Sequence, residues 1–367
     1  MSGVILLTPG DPRGIGPEIT LKALKAQTAS VGQFTIVVMG AEAPFKKLRA
    51  QYERVTVDDL PEIVRSRHRV RSTNRFLLVP APVAVPKVTP FKNSPWQKPK
   101  KSVLGPSASL GGFQAGWSVE LATRLVLSGV ASALVTGPIH KERLQAGGYP
   151  FSGHTDLLGH LSGVKTNTMM LANEILRVAL VTVHTALANV PGLLSEKEIL
   201  RTIEHTTRGL QDRWGIRRPK IAITALNPHA GEGGLFGSEE QKIITPAIEK
   251  ARKLFHAELS GPHPADTVFA QQLQKKKSAR WDAVICMYHD QGLIPVKLLD
   301  FPKTVNVTLG IPMIRTSVDH GTAFDIVGKN KADPSSLISA IKMAEQMARR
   351  QKKKPASINE KTIKSFK

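Results

Sequence analysis

The sequence predicts an α/β fold built on a mostly parallel sheet, and three observations predict it. Short apolar runs rich in β-branched residues recur at 4–7, 34–39, 131–136, 178–183, 221–226 and 283–287. Stretches with helical spacing of apolar residues separate them, at 118–128, 196–214, 239–255 and 335–352; strands alternating with helices are the pattern of βαβ units. The densest Gly, His, Asn and Asp clusters begin where the runs end, and parallel α/β sheets bind ligands at the carboxyl ends of their strands.

Each element has its own signal. The six runs are short and apolar on both faces, as strands buried on both sides of a sheet are. Several of the helical stretches open with Ser or Glu in the first turn, which suits the unpaired N–H groups there. Residues 79–106 are rich in Pro and Lys and lack periodicity, so they read as a long excursion. After Ala332 comes one amphipathic helix and then a Lys-rich tail, 352–367, expected to be flexible. With 367 residues and 41% hydrophobic content, the chain can form two lobes with a cleft between them.

The charge is uneven, with 51 Lys and Arg against 29 Asp and Glu, a net +22. A nucleic-acid partner is not expected, because aromatic residues are 5% of the chain and none interleave with the basic clusters at 98–101, 275–277 and 349–354. Solvated faces and a tail explain those clusters, and an anionic substrate gains from their field. No run of about 18 apolar residues suggests a membrane span. The N-terminus turns to Pro, Gly and Asp too soon for a signal-peptide core. A cytoplasmic location is expected. The single cysteine, Cys286, excludes an intramolecular disulfide and suits a reducing compartment.

Three of the expected strands deliver a histidine to the same rim: His184, His229 in NPHAGEGG and His289 in YHDQG. One such histidine is most simply a hydrogen-bonded structural residue. Three in one topological position also fit ligands of a shared divalent ion, with positions left for substrate or water. Both readings stand at this point. Asp290, beside His289, fits a support for that ligand, a substrate contact or a base. His154 and Thr155 in GHTD are a helix cap or a ligand contact. The loop at 8–18 is either a tight strand-to-helix connection or an anion site. Lys297, Asn306 and Arg315 follow the third histidine; Lys and Arg near a metal rim are holders of carboxylate or phosphate. No GxxxxGK[ST] loop, strand-borne GxGxxG or GxSxG elbow is present.

The runs TPGDPRGIGPE (8–18), VTGPIHK (135–141), GHTD (153–156), LNPHAGEGG (226–234), MYHDQGLIPVK (287–297), VNVTLG (305–310) and IRTSVDHGTA (314–323) closely resemble the 4-hydroxythreonine-4-phosphate dehydrogenase family of pyridoxal 5′-phosphate (vitamin B6) biosynthesis. The resemblance spans roughly residues 4–347, in order. It implies an isocitrate/isopropylmalate dehydrogenase-like fold of two α/β lobes with the active site in the cleft. The first lobe would comprise 1–135 and about 305–367, and the second, with the dimer interface, about 136–304.

The resemblance further implies one divalent metal (Zn, Mg or Co) on His184, His229 and His289, with His289 supplied across a homodimer interface. It implies substrate contacts at His154, Thr155, Lys297, Asn306 and Arg315. The cofactor is NAD, with NADP as the alternative, bound without the usual glycine fingerprint and at residues the resemblance leaves unassigned. The reaction oxidises the 3-hydroxyl of 4-phosphooxy-L-threonine and releases CO2, yielding 3-amino-2-oxopropyl phosphate. Asp266 and Asp290 are the candidate bases. Related dehydrogenases of threonate or erythronate 4-phosphate share the metal histidines, so a sugar-acid phosphate is the alternative substrate. Arg13, where a small residue is usual, the charge excess and the 79–106 stretch depart from the family pattern, and none falls on the eight site positions.

Overall fold

The computed structural model describes residues 3–27, 34–65, 75–99 and 104–351. The tail at 352–367 and the second half of the 98–101 cluster lie outside them. The chain divides into two compact units, Met1–Lys165 with Ile311–Lys367, and Thr166–Gly310.

The first unit begins with β1 (Gly3–Thr8), α1 (Gly16–Gln27), β2 (Phe34–Gly40), α2 (Ala43–Lys47), β3 (Gln51–Arg54), α3 (Leu60–Arg65) and β4 (Arg75–Pro80). It continues through α4 (Pro106–Leu127), β5 (Ala133–Thr136), α5 (Lys141–Ala146) and α6 (His154–Leu161). All six residues of β1 are buried, as expected of a strand covered on both faces. Each fully buried aliphatic side chain there contributes on the order of 2 kcal/mol.

The helix expected at 118–128 is the second half of α4. Gly111, Gly112 and Gly116 weaken the helical signal of the first half, yet they allow close packing. A Cβ on Gly112 would stand 1.6 Å from the carbonyl oxygen of Arg143. The excursion beyond β4 has no helix or strand among its described residues, but it is tied down. Trp96 Nε1 donates to Gly147 O (2.9 Å), and Ser94 Oγ donates to Glu120 Oε2 (2.7 Å). Tyr149 Oη donates to the same carboxylate oxygen at 3.0 Å.

The second unit runs β6 (Thr168–Ala172), β7 (Arg177–Leu180), α7 (Val190–Leu193), α8 (Glu196–Trp214), β8 (Lys220–Thr224), α9 (Thr245–Leu254), β9 (Glu258–His263), α10 (Ala265–Gln274), β10 (Ala283–Cys286), α11 (His289–Asp300) and β11 (Val305–Leu309). Helix α8 has the expected bounds because both ends are marked. Ser195 accepts from Glu198 N at 3.2 Å, and Gly215 closes the helix at φ 71°. The chain then returns to the first unit with β12 (Arg315–Ser317) and α12 (Ser335–Arg350).

In the first unit the strands lie in the order β3-β4-β2-β1-β5-β12, all parallel. In the second the order is β11-β6-β7-β10-β8-β9. There β11, β6 and β7 pair antiparallel and β7, β10, β8 and β9 parallel. The mixed α/β class is as expected. The lobe boundaries differ: residues 136–165 stay with the first unit instead of opening the second. Their Leu144, Tyr149, Leu157 and Leu158 pack in one core with Phe113 and Leu121 of α4, and hydrophobic packing decides where a unit ends. Among the described residues no helix is long and apolar enough to cross a membrane.

Candidate active site

The three histidines follow parallel neighbours β7, β10 and β8 of the second unit. Beyond β7 the pairing continues, with Val181 N donating to Cys286 O (2.9 Å) and Thr182 N to Met287 O (3.1 Å). These bonds carry His184 alongside Tyr288 and His289. The His184 and His289 ring centroids are 5.7 Å apart. Asp290 Oδ1 lies 2.7 Å from His289 Nδ1; a proton on Nδ1 would leave the Nε2 lone pair available as a donor.

Gln291, absent from the expected site, joins the strand ends beneath these rings. Its Oε1 accepts from Thr224 Oγ1 and Met287 N, and its Nε2 donates to Ala225 O, each at 2.7 Å. It lies inside the MYHDQGLIPVK run, two residues past His289. Cys286 is fully buried. Burial pushes its thiol well up, with the Thr224 hydroxyl offsetting only part, consistent with an inert core residue.

His229 is carried by a different device. Residues 229–233 take positive φ in succession: 51°, 55°, 77°, 41° and 70°. For His229, Ala230 and Glu232 each such conformation costs about 1–2 kcal/mol, so the surroundings must hold it. Glu240, buried in a single π-helical turn at Glu240–Ile244, accepts from Leu226 N and Asn227 N at 2.9 and 2.8 Å. Burial opposes ionisation of Glu240, but the Asn227 and Leu226 N–H groups outweigh it and keep the carboxyl below its ordinary range.

Within one chain the structure therefore pairs His184 with His289, instead of the expected pairing of His184 with His229. His229 rests near Phe236, ring centroids 6.3 Å apart. Among the described residues no three metal-capable side chains converge. Two imidazoles, one backed by a carboxylate, are suitable donors for a transition metal.

The expected substrate positions fall into two groups. His154, Thr155 and Arg315 belong to the first unit. Arg315, 2% exposed, donates from Nη2 to Thr136 Oγ1 at 2.7 Å, which adds Thr136 to the site. Burial pushes the Arg315 guanidinium down to about 9, so it is still a cation at neutral pH. His154 Nε2 is sealed from solvent with no hydrogen-bond partner among the described residues. Burial, and after it the Arg315 charge, hold His154 well below its ordinary 6.5. A neutral donor beside a buried cation is an arrangement for an anion. Lys297 on α11 and Asn306 on β11 belong to the second unit. The Lys297 Nζ is 5.3 Å from the Phe301 ring centroid, and Asn306 pairs in register with Leu171.

A pH dependence follows from His154. The unfolded chain lets it protonate near 6.5 while the folded chain keeps it neutral. Stability tied to neutral His154 is thus full above that value and is lost as pH falls below it. The midpoint of thermal unfolding should drop between about pH 7 and 5, and less steeply in His154→Gln. Equal slopes would show that His154 does not carry the effect.

The loop at 8–18 is a connection. Its Asp11, Arg13, Gly14 and Ile15 N–H groups are taken by Pro138 O, Asp11 Oδ1, Asp11 O and Thr322 O, and Asp11 is locked to Arg143 by two contacts of 3.0 Å. Beside it the first unit holds a cavity of about 980 Å³ lined by Arg13, Lys47, Gln114, His140, Arg143 and Phe324 among others. The His140 and Phe324 rings are 5.5 Å apart, and His140 Nδ1 is buried with no partner among the described residues.

The sequence pattern of the family described as "Pyridoxal phosphate biosynthetic protein PdxA" matches residues 29–344. The chain belongs to this family. A 4-hydroxythreonine-4-phosphate dehydrogenase of Desulfosudis oleivorans is 45% identical over 357 residues, 96% of this chain and 98% of that one. A Bradyrhizobium diazoefficiens relative with a provisional D-threonate 4-phosphate dehydrogenase name is 40% identical, covering 94% of this chain and 96% of its own length. The crystal structure of the Klebsiella pneumoniae 4-hydroxythreonine-4-phosphate dehydrogenase superposes with a TM-score of 0.79 at 36% identity, over 95% of this chain and 98% of that one. This PdxA-family chain is thus a dehydrogenase with a mixed α/β fold.

Proposed function

We propose that this chain oxidises 4-phosphooxy-L-threonine at its 3-hydroxyl with NAD and a divalent metal and releases CO2, giving 3-amino-2-oxopropyl phosphate for pyridoxal 5′-phosphate synthesis. The observation that carries this reading is the His184–His289 pair at the strand ends of a chain alike over nearly its whole length to enzymes of that name. A divalent ion held by His184, His289 and His229 would supply Lewis acidity toward the hydroxyl being oxidised and the carbonyl formed from it.

Arg315 and neutral His154 hold an anionic end of the substrate, with Thr136 fixing the guanidinium, and Thr155, Lys297 and Asn306 complete the contacts. Asp290 is engaged in orienting His289. That leaves Asp266, exposed in the first turn of α10, as the candidate to take the hydroxyl proton. A bound nicotinamide would supply the hydride acceptor, and the β-keto acid left by the oxidation would lose CO2. The 980 Å³ cavity, mainly apolar with an aromatic ring and cations, is of the size and character that suits the cofactor, with NADP as the alternative to NAD.

The active form in this reading is a homodimer. Each histidine is followed in sequence by large apolar side chains in the open: Leu187 (68% exposed), Leu235 (72%) and Leu298 (82%). A second copy covering them would bring a third imidazole to the pair. His229, the histidine outside that pair, is then the one supplied by the partner. A reducing cytoplasm suits the buried thiol.

A panel of 4-phosphorylated substrates tests the assignment, with reduction of the nicotinamide followed by absorbance. Turnover of the amino-acid ester, abolished by chelation and restored by Zn²⁺, Mg²⁺ or Co²⁺, is expected. Turnover of threonate or erythronate 4-phosphate with none of the amino-acid ester would assign the chain to the sugar-acid reaction, the reading favoured by the Bradyrhizobium relative.

A further inference from the structure

Glu240 touches the loop bearing His229 on both sides of that residue. Before it, Oε1 takes the N–H groups of Leu226 and Asn227 (2.9 and 2.8 Å), and Oε2 takes Asn227 Nδ2 (3.0 Å). After it, Oε2 lies where a Cβ on Gly231 would stand 2.7 Å away, so the glycine backbone rests directly on the carboxylate. Between these two supports His229 and Ala230 take left-handed conformations, φ 51° and 55°, which side-chain-bearing residues adopt only when held. The loop closes by Phe236 N donating to Gly231 O at 3.2 Å. Glu240 itself opens a π-helical turn, a local irregularity that proteins retain mostly where function needs it.

We propose that Glu240 is a positioning residue: acting through Asn227 and Gly231, it fixes the left-handed loop and so sets where the His229 imidazole is presented to a metal. This rests on the reading of His229 as a ligand. A carboxylate is required because three N–H donors converge on it from one direction. Gln in its place keeps one oxygen for the backbone groups but turns an NH2 toward Asn227 Nδ2, donor against donor.

The test is titration with Co²⁺ alone, reading affinity and the visible absorption of the bound ion in the full dimeric protein. Glu240→Gln should weaken Co²⁺ binding about ten- to a hundredfold and change the absorption band. In a His229→Ala background the same change should weaken binding no further, because it acts only through that imidazole. If His229→Ala loses affinity while Glu240→Gln binds as the parent does, the positioning role is wrong and the ligand assignment survives. If His229→Ala itself binds as the parent does, the ligand assignment fails first. An equal further loss in the His229→Ala background would mark Glu240 as a general structural residue and overturn the proposal. Should Glu240→Gln fail to fold, Glu240→Asp keeps the charged acceptor, set back by one methylene, and the same coupling is expected of it.

Discussion

Co-expressed in one cell, inactive His184→Ala and inactive His229→Ala chains should recover activity, whereas His184→Ala with His289→Ala should not. Each variant alone should lose turnover by about a thousandfold or more, since a Lewis acid contributes several kcal/mol to the transition state and each 1.4 kcal/mol is about tenfold. The recovery follows from the 5.7 Å pairing of His184 and His289 within one chain. In a two-fold dimer each site would then take that pair from one copy and His229 from the other. A mixed dimer of His184→Ala and His229→Ala collects both lesions in one site and leaves the second intact. With random mixing about a quarter of parental turnover should return. Lesions at 184 and 289 disable one site each, so no site survives. Recovery in the His184→Ala and His289→Ala mixture instead would make His289 the residue supplied by the partner.

Arg315→Met should lower kcat/KM by about thirtyfold to several thousandfold, the equivalent of about 2–5 kcal/mol for losing one member of a buried charged contact. The guanidinium is 2% exposed and bonded to Thr136, so water does not replace it when it is lost. Met has similar length and no charge, which makes the apo protein at least as stable as the parent; removing a buried cation relieves its desolvation. A stable variant with weak turnover is therefore the expected pair of results. Lys297→Met should cost much less, because Lys297 is only half-buried and solvent screens it. Equal losses at the two positions would place the anion contact elsewhere.

Much of this was legible before the structure because buried strands are short apolar runs and polar residues can accumulate only where such runs end. That placed His184, His229 and His289 at one rim, and helical spacing marked out α8. Other parts were not legible. Strand β12 has three residues, too few for a pattern, although it carries Arg315. Strands β6 and β11 pair antiparallel, which no local signal announces. Which histidines meet in one chain depends on strand order, with β10 between β7 and β8, and order is set by tertiary packing. Gln291, Thr136 and Glu240 escaped notice because each acts on a distant partner, Gln291 on Thr224 67 residues earlier. Lone buried polar residues have no periodicity to betray them.

The hydrogen bond from Arg315 to Thr136 spans 179 residues of chain, and the whole second unit is made in between. At about 5–20 residues per second on a ribosome, the guanidinium emerges roughly ten to forty seconds after the hydroxyl it binds. The first unit waits that long for β12 to reach β5. During synthesis, then, the half that bears His184, His229 and His289 can be complete before Arg315 is made, and an interrupted chain would carry those three histidines without the guanidinium that Thr136 awaits.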